Sequence, residues 1–444
     1  MKRMNFRMLI GLLLLNCLPA IPLQASNRFI VRVNGGLQGI RVVCVLVGCN
    51  VAEGMDGPLG QVFLVTNSSA VPATTFLSTI LRQPGVVDAE LDLVASLSDT
   101  GYTAPPALFD SAPIEYFGTN VPHGYVNQPA TQIVRLSNTQ TAFGVKGAGT
   151  VAVIDTGVDP NHPVLRNVLV PGYDFTRNQN GEGDETGDVL FSRSPIATSQ
   201  PSWVSPNGTA LVDQSTVAVV DGNPAYRDFG HGTMVAGVIH LVAPGAMLMP
   251  LKAFGSDGTG YTSDIIRAVY WAIQNNANII NMSFNLAAYS TELKNAVDYA
   301  TLRGVICVAA AGNQGEDILV YPAALPNVIG VASTTNDDQR SSFSNYGQDL
   351  VWIAAPGEGI VTTYPFGTYA AAWGTSFSAP FASGAAALML DYGGSLLTDI
   401  LIFQNQSDSA KALSHAQPIN PDLGHGRLDS YEALGAWRSL VGAP

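Results

Sequence analysis

The chain has little charge, few cysteines and no long apolar run beyond its first residues. Only 12% of its 444 residues are charged, and 21 basic residues are outnumbered by 34 acidic ones, which gives a formal net charge of −13. A strongly acidic chain is unsuited to nucleic acid and to anionic membrane surfaces, so both partner classes are excluded. No segment after residue 25 has the apolar length of a transmembrane helix, which predicts a soluble product without a membrane partner.

Cysteine is scarce, and the spacing of the four cysteines excludes both a disulfide framework and a zinc site. Cys44 and Cys49 are close enough in sequence to form a disulfide, although helical geometry at that spacing would oppose it. Cys307 lies in an apolar run and is predicted to be a buried, unreactive thiol. Metal chemistry through cysteine is therefore not expected.

The N-terminal residues have the order typical of a secretory signal peptide. Basic residues precede the apolar run 8–15, and small residues end at Ala25. We therefore predict a signal peptide over residues 1–25 and a secreted protein, extracellular or periplasmic. A lipoprotein anchored at Cys17 is the alternative, but the bulky Asn16 stands where a small residue is expected.

Hydrophobic periodicity divides the remaining chain into a small module and a large domain. Residues 26–98 alternate strand and helix patterns, which predicts a small α+β module with two short helices on an antiparallel sheet. Residues 99–132 are rich in Pro, Gly, Thr and Ser and are interpreted as a linker and processing region. Residues 133–436 carry near-continuous apolar strands separated by helices, which predicts an α/β fold with a mostly parallel central sheet. Residues 437–444 form a tail.

The predicted elements of the large domain follow the apolar runs. The strands are predicted at 150–154, 247–253, 279–282, 305–309, 328–332 and 350–354, and helices at 263–275 and 291–303. Ligands of such sheets bind beyond the carboxyl ends of the strands, so reactive side chains are expected directly after them.

Four polar side chains occupy positions where that chemistry is expected. Asp155 directly follows the first predicted strand, and Asn313 follows the strand near 305–309. His231 lies between two glycines at the start of a small-residue helix, and Ser376 stands in Gly-Thr-Ser-Phe-Ser-Ala-Pro at another helix start. Singly, each has a structural interpretation as a turn residue, a packed histidine or a helix cap. Together they supply an acid, a base, a nucleophile and an amide donor.

The order Asp155, His231, Ser376, with Asn313 before the serine, resembles the subtilisin family of serine endopeptidases (subtilases). Strings around these four residues, and at 341–347, 355–357 and 424–429, extend the resemblance over roughly residues 133–434. It implies a three-layer subtilisin-like fold that hydrolyses polypeptides. Ser376 would attack the scissile carbonyl, His231 would carry the proton, and Asp155 would hold the imidazole. The Asn313 amide and the Ser376 N–H would form the oxyanion hole.

The resemblance also implies substrate-binding segments and an inhibitory propeptide. Residues 26–98 would act as an intramolecular inhibitor and folding chaperone of a zymogen, released by a cut in the linker. A permanently attached structural domain is the alternative. The chemistry requires no cofactor, and a monomer is expected. Substrate would pair as an added strand with Ser283, Phe284 and Asn285, and its first side chain would enter a pocket lined by Ala310, Ala311 and Gly312.

Several residues depart from the family pattern without touching the triad. Met234 and Phe381 replace common histidines, and we interpret both as repacking. Phe377 replaces a methionine and lacks its oxidisable sulfur, which predicts tolerance of peroxide. Asn285 replaces a glycine and would crowd the pocket rim, so specificity is expected to shift to small residues.

The sequence lacks the loop in which the family usually binds calcium. Residues 238–240 continue directly into 241–245, and Val164 stands where that site's aspartate is expected, so the strong family site is predicted to be absent. We assign no metal ligands. The acidic run 178–188 could hold calcium through carboxylate oxygens, but a solvated acidic loop is the preferred interpretation.

Other functions fit the motifs less well. A catalytically silent binding protein of subtilase fold would have lost a triad residue or the oxyanion amide, and all four are present; it remains the alternative. An esterase of the α/β-hydrolase type has Gly-x-Ser-x-Gly with the histidine last. A sedolisin-type peptidase would need a glutamate base in place of His231.

Overall fold

The protein consists of a small α+β module followed by a larger α/β domain, as predicted. A computed structural model describes residues 27–67, 71–96, 105–181, 183–190, 210–211, 226–393 and 421–441. The predicted signal peptide, residues 1–25, lies outside the described residues. Within the described ranges, no helix combines the length and the apolar character needed to cross a membrane.

The N-terminal module is a four-stranded antiparallel sheet with two helices, in the strand order β2-β3-β1-β4. Alternate residues of the first strand, Phe29, Val31 and Val33, pack in one core with Ile40 and Phe76 from the helices. The elements are β1 (Arg28–Val33), α1 (Gly36–Val47), β2 (Cys49–Gly54), a 3₁₀ turn (Gly57–Leu59), β3 (Val62–Asn67), α2 (Ala73–Ile80), β4 (Val86–Leu91) and β5 (Val94–Ser96).

Cys44 and Cys49 form a disulfide that joins the end of α1 to β2. Helical geometry, which was expected to oppose this disulfide, does not extend across it, because Gly48 adopts a left-handed conformation and ends the helix between the two cysteines. Cys307 is buried, as predicted, and burial raises the pKa of its thiol to about 12.

Residues 105–132 are packed on the large domain, so their interpretation as a linker is wrong for this stretch. Leu108, Tyr116 and Tyr125 are buried in the core of the domain, and the Tyr125 hydroxyl donates to Gly237 O at 2.7 Å. Proline and glycine separate elements that are too short to show a clear periodicity, so the composition of this segment resembles that of a linker. The elements are a 3₁₀ turn (Pro106–Phe109), β6 (Pro113–Tyr116), β7 (Thr119–Pro122), α3 (His123–Val126) and α4 (Pro129–Ile133).

The large domain is built on an eight-stranded sheet of order β10-β9-β12-β8-β14-β15-β16-β17, in which only β10 is antiparallel to its neighbour. A smaller sheet has the order β11-β19-β18. The strands are β8 (Thr150–Asp155), β9 (Tyr173–Asp174), β10 (Gln179–Asn180), β11 (Ala210–Leu211), β12 (Met247–Lys252), β13 (Thr259–Tyr261), β14 (Ile279–Met282), β15 (Ile306–Ala310), β16 (Val328–Thr334), β17 (Ile353–Pro356), β18 (Ile360–Tyr364) and β19 (Thr368–Ala372).

Helices cover both faces of this sheet, which gives the predicted three layers. Val151 and Val153 of β8 pack in one core, whereas Ala152 and Ile154 pack in the other, because successive side chains point to opposite faces. The helices are α5 (Leu136–Phe143), α6 (Gly187–Leu190), α7 (His231–Val242), α8 (Thr262–Gln274), α9 (Thr291–Leu302), α10 (Thr375–Gly393) and α11 (Ser430–Val441), with a 3₁₀ turn at Pro421–Leu423. Helices α7 and α10 contribute to the first core, and α8 and α9 to the second.

The predicted strands agree with the observed ones except at the start of β17. Strand β17 begins at Ile353, three residues later than predicted, because the amides of Leu350 and Val351 donate to Gly347 O in a turn. The other predicted strand and helix ends in this domain lie within two residues of the observed ends.

His240 makes the fold sensitive to acid. It is buried on α7, and its Nδ1 atom has no hydrogen-bond partner among the described residues. Burial lowers the pKa of His240 to about 4, and the nearby His162 acts in the same direction. The unfolded chain therefore binds a proton at a higher pH than the folded chain, so stability is lost as the pH falls from about 6.5 to about 4.

We expect His240→Leu to remove that part of the acid sensitivity. The loss of unfolding free energy between pH 7 and pH 4 should shrink by on the order of 3 kcal/mol, which denaturant unfolding at both pH values measures. The exposed His425 offers a matched control, because His425→Leu should leave the pH dependence unchanged. The same pH dependence in wild type and His240→Leu would contradict the prediction.

Candidate active site

Asp155 and His231 meet at the carboxyl end of the parallel sheet. Asp155 is the last residue of β8, and His231 is the first residue of α7, which starts there because Gly230 adopts a left-handed conformation (φ 90°). Asp155 Oδ1 lies 2.7 Å from His231 Nδ1, and both side chains are buried. The same oxygen accepts the Thr156 amide at 2.7 Å, which fixes the carboxylate. A carboxylate there favours the tautomer with hydrogen on Nδ1.

Ser376 lies in the first turn of α10, next to the histidine. The ring of the following residue, Phe377, packs against the His231 ring with 5.3 Å between centroids, so the two segments are in direct contact. The Ser376 hydroxyl donates to Ser283 O at 3.1 Å, and the Ser283 hydroxyl donates to Ser376 O at 2.8 Å. The serine segment is thereby tied to the residue that follows β14.

A buried chain of hydrogen bonds supports this tie. Asn281 Nδ2 donates to Ser283 Oγ at 2.9 Å, and Ser383 Oγ donates to Asn281 Oδ1 at 2.8 Å. All three side chains are fully buried, so these bonds form away from water. The Ser283 hydroxyl that binds Ser376 O is therefore held by Asn281 of β14, which is held in turn by Ser383 of α10.

Asn313 lies beside the serine segment with its amide oriented. Its Oδ1 accepts both the Thr375 amide (2.9 Å) and the Thr375 hydroxyl (2.8 Å). Thr375 Oγ1 in turn accepts the Gly312 amide at 3.0 Å. Because these contacts use the oxygen end, the NH₂ end of the amide is directed away from Thr375.

The predicted substrate-binding segments follow neighbouring strands, β14 and β15. Ser283, Phe284 and Asn285 come directly after β14, but the Phe284 side chain is buried against Phe254, which leaves only its backbone for a ligand. Asn285 is half-buried. Their role in binding remains a prediction. The second segment begins at Ala310, the last residue of β15, and continues through Ala311 and Gly312; Asn345 Nδ2 donates to Ala311 O at 3.0 Å.

Comparison with known families identifies the chain. Residues 147–402, more than half of the sequence, match the subtilase family. The chain belongs to the subtilase family. The resemblance inferred from the motifs is therefore confirmed, together with the class of serine-type endopeptidase that the family represents.

Individual relatives support the assignment. The sequence is 34% identical over 284 residues to a thermophilic serine proteinase of Bacillus sp. (strain AK1), a match that covers 64% of this chain and 61% of that proteinase. It is 32% identical over 294 residues to thermitase of Thermoactinomyces vulgaris, with 65% and 90% covered. This subtilase thus spans about three fifths of the first relative and nine tenths of the second.

The fold also has a solved counterpart. Fervidolysin from Fervidobacterium pennivorans, described as a keratinolytic enzyme related to subtilisin, superimposes with a TM-score of 0.67 at 21% identity, over 92% of this chain and 61% of that one. This similarity shows the subtilisin-like fold, with its mostly parallel sheet, that the sequence predicted.

Sequence reasoning missed Glu185, which contacts Thr156, next to Asp155, and Gly230 and Thr233, on either side of His231. The preferred interpretation of its segment as a solvated acidic loop is wrong for this residue, because Glu185 is 0% exposed. Burial raises the pKa of Glu185 to about 7, whereas hydrogen bonds from Thr233 and Thr156 and the charge of Lys252 oppose the rise. The one available signal was Lys252, a lysine at the end of a predicted buried strand, which needs an anionic partner.

The other described acidic residues of this subtilase's insertion are engaged by protein groups. Asp188 pairs with Arg177 and, at 2.8 Å, with Lys252. Asp184 accepts the Thr186 amide at 2.7 Å. In the part of the chain that the structure describes, no group of three or more His, Cys, Asp or Glu side chains is arranged to hold a metal ion.

Proposed function

We propose that this subtilase is a secreted, monomeric serine endopeptidase that hydrolyses peptide bonds with Asp155, His231 and Ser376. The observation that carries the proposal is the buried 2.7 Å contact between Asp155 Oδ1 and His231 Nδ1, beside the helix start that bears Ser376. An aspartate bound to a histidine that lies beside a serine-bearing helix start is the arrangement that activates a hydroxyl for attack on a carbonyl.

The proposed reaction moves one proton between the serine, the histidine and the leaving group. The Ser376 hydroxyl, which donates to Ser283 O, turns toward His231 Nε2 and gives up its proton as its oxygen attacks the carbonyl carbon. Asp155 stabilises the resulting imidazolium. His231 then protonates the leaving amine, and a water molecule, activated by the same ring, hydrolyses the acyl-enzyme.

Amide donors would stabilise the negative oxygen of each tetrahedral intermediate. The contacts of Asn313 Oδ1 with Thr375 direct its NH₂ end away from that residue. We assign the Asn313 amide and the Ser376 N–H to the oxyanion hole. The pocket of Ala310, Ala311 and Gly312 would take the side chain before the scissile bond, and the backbone at Ser283 to Asn285 would pair with substrate.

Residues 26–98 would serve as the propeptide, with its last strand bound as a peptide would be. Strand β5 pairs antiparallel with β13 of the large domain, so Ala95 lies opposite Gly260 and Val94 opposite Tyr261. Addition of an extended segment to an exposed strand is a common mode of peptide binding. The placement supports an inhibitor whose last strand binds to a strand edge of the peptidase domain.

Two carboxylates of the module cap helices of the peptidase domain. Asp92 accepts the Ser263 amide (2.9 Å) and hydroxyl (2.8 Å) at the start of α8. Glu90 accepts the Thr291 amide (2.9 Å) at the start of α9. Negative charge at a helix N-terminus stabilises the helix, so the module is suited to assist folding. A cut between residues 96 and 105 would then release the mature enzyme.

A fluorophosphonate probe that labels active serine hydrolases tests the proposal. We expect the wild-type protein to be labelled on the peptide that contains Ser376, and mass spectrometry to find a mature N-terminus between residues 97 and 105. A wild-type protein that is neither labelled nor cleaved would refute the peptidase and leave the silent subtilase-fold protein.

We propose further that hydrolysis needs no cofactor and that the acidic insertion binds no calcium. Glu185 accepts a hydrogen bond from Thr156, and Asp188 pairs with Lys252. Asp184 accepts the amide of Thr186 in its own segment. We therefore expect unchanged hydrolysis after EDTA and no heat of binding on calcium titration. A binding heat in wild type that disappears in Asp184→Ala would contradict this proposal.

Phe377 is expected to protect the enzyme from peroxide. Its ring is fully buried against His231, the place where a methionine sulfur would become polar on oxidation. Wild type should keep most of its activity after peroxide, whereas Phe377→Met should lose about tenfold. The matched control is Phe381→Met, a buried position on the same helix, which should remain tolerant. Equal losses in wild type and Phe377→Met would contradict the prediction.

A further inference from the structure

One buried carboxylate, Glu185, joins the segment that follows Asp155 to the segment around His231. Its Oε2 accepts the Thr156 hydroxyl at 2.8 Å and the Gly230 amide at 2.9 Å. Its Oε1 accepts the Thr233 amide at 3.1 Å and also the Thr233 hydroxyl. We infer that Glu185 is a positioning residue that sets the geometry of the Asp155–His231 pair and favours the protonated form of His231. The inference rests on the proposed function of that pair.

The hydrogens around Glu185 all point toward it. Thr156 Oγ1 already accepts the Gly232 amide at 2.9 Å, so its single hydrogen is free to be donated to Glu185. Thr233 Oγ1 likewise accepts the Asp159 amide at 2.8 Å. With the two backbone amides, four donors converge on two oxygens. A carboxylate satisfies all four, whereas a neutral amide side chain would oppose two of them with its own hydrogens.

The contact also places a negative group at the start of α7, whose first residue is His231. The Gly230 and Thr233 amides that Glu185 accepts are two of the amides left unpaired at a helix N-terminus. A negative charge this close favours the imidazolium over the neutral ring. Glu185 would therefore act on the histidine through the backbone and, in its ionised form above a pKa of about 7, through its charge as well.

Other charged and titratable groups also face Glu185 or His231 and contribute to the electrostatics of both side chains. Lys252 lies beside Glu185, with Nζ donating to Thr156 O at 2.6 Å and to Asp188. Tyr364 also faces Glu185, and its hydroxyl donates to Phe229 O. Asp155 and Asp228 are the carboxylates that face His231. These side chains remain when Glu185 alone is changed, but the charge of Glu185 raises the pKa of Lys252, so a substitution there measures the effect of Glu185 together with the response of Lys252.

The test that does not depend on catalysis is a titration of His231. The full chain carrying Ser376→Ala, labelled with ¹³C-histidine, would be followed by NMR with Glu185 intact and as Glu185→Gln. We expect the pKa of His231 to fall by about 0.5 to 1 unit on loss of the charge. Asp184→Asn, a neighbouring carboxylate that contacts Thr186, is the matched control and should give no shift. An unchanged His231 in Glu185→Gln would overturn the inference.

Kinetics of the active chain test the positioning role. Glu185→Gln should lower kcat by about 10- to 100-fold with KM within about twofold, and should move the acid limb of the pH profile to lower pH by the same 0.5 to 1 unit. Glu185→Asp keeps the charge and should restore the acid limb but only part of kcat. A loss of kcat in Glu185→Gln without movement of the acid limb would mean a merely structural residue and would overturn the inference.

A second variant keeps the test decisive where Glu185→Gln does not fold. Thr156→Val cuts one link to Glu185 but leaves the carboxylate charge in place, so kcat should fall while the acid limb stays. Unchanged kcat in Thr156→Val would count against the link. Failure of the proposed function looks different, since a wild type without hydrolysis or probe labelling can still show the His231 shift by NMR.

Discussion

Replacement of Ser376 by alanine is expected to lower kcat for peptide hydrolysis by about 10⁶-fold, with KM almost unchanged. The hydroxyl is the proposed nucleophile, and no other side chain can replace it in the acyl-enzyme. The chain should also stay joined to residues 26–98, because the proposed maturation cut uses the same site. Initial rates with a chromogenic peptide and gel analysis of processing measure both effects.

A matched control lies two residues further along the same helix. Ser378 is also buried, but its hydroxyl donates to Pro356 O at 3.2 Å. Ser378→Ala should therefore retain kcat within about threefold and should mature normally. Processing of purified Ser376→Ala at the wild-type rate would show that the cut does not need Ser376 and would contradict self-maturation through this residue.

Asp155→Asn is expected to lower kcat by about 10⁴-fold at neutral pH. The substitution keeps the size of the side chain but removes the charge that stabilises the His231 imidazolium across the 2.7 Å contact. It also weakens the preference for hydrogen on Nδ1, so a fraction of the rings would present the wrong nitrogen to Ser376. Steady-state kinetics corrected by active-site titration would give kcat per competent site.

The control for Asp155→Asn is another buried aspartate at the end of a strand in the same sheet. Asp174 ends β9 and pairs with Arg177 at 3.0 Å, away from His231. Asp174→Asn should reduce stability with little change in kcat. Comparable losses of kcat in the two variants would mean that Asp155 acts through the fold and not through the histidine.

The parts of the site that could be predicted are those with local backbone requirements. Gly230 needs its left-handed conformation to start α7 at His231, and Asp155 needs a strand end, so each leaves a short string in the sequence. Gly312 and Thr375, which precede Asn313 and Ser376 in these strings, connect the two segments, since Thr375 accepts the Gly312 amide and donates its own amide to Asn313. Four such strings, in one order along the chain, identified both the family and the candidate residues.

Glu185 could not be predicted because its partners are distant in sequence. Its donors lie 29 to 48 positions away, at Thr156, Gly230 and Thr233. Within its own segment the residue stands in a run of acidic and glycine residues, a composition that favours a solvated loop. Only the fold removes it from water and surrounds it with donors.

Short elements and single contacts were misjudged for a related reason. The segment 105–132 gains its order from packing of Tyr116 and Tyr125 into the domain core, which composition does not report. The Cys44–Cys49 disulfide depends on Gly48 ending α1 between the two cysteines. The first contact joins distant segments, and the second depends on the residue at which a helix ends.

The sequence by itself determined the subtilase family, the module before the α/β domain and the order of the candidate catalytic residues. It did so because hydrophobic periodicity and tight turns are properties of neighbouring residues. Only the tertiary structure decided that Asp155 contacts His231, that β5 lies along β13, and that Glu185 joins the segment after Asp155 to the segment around His231. Such contacts form between distant segments, where burial makes each unsatisfied polar group costly and so selects one arrangement.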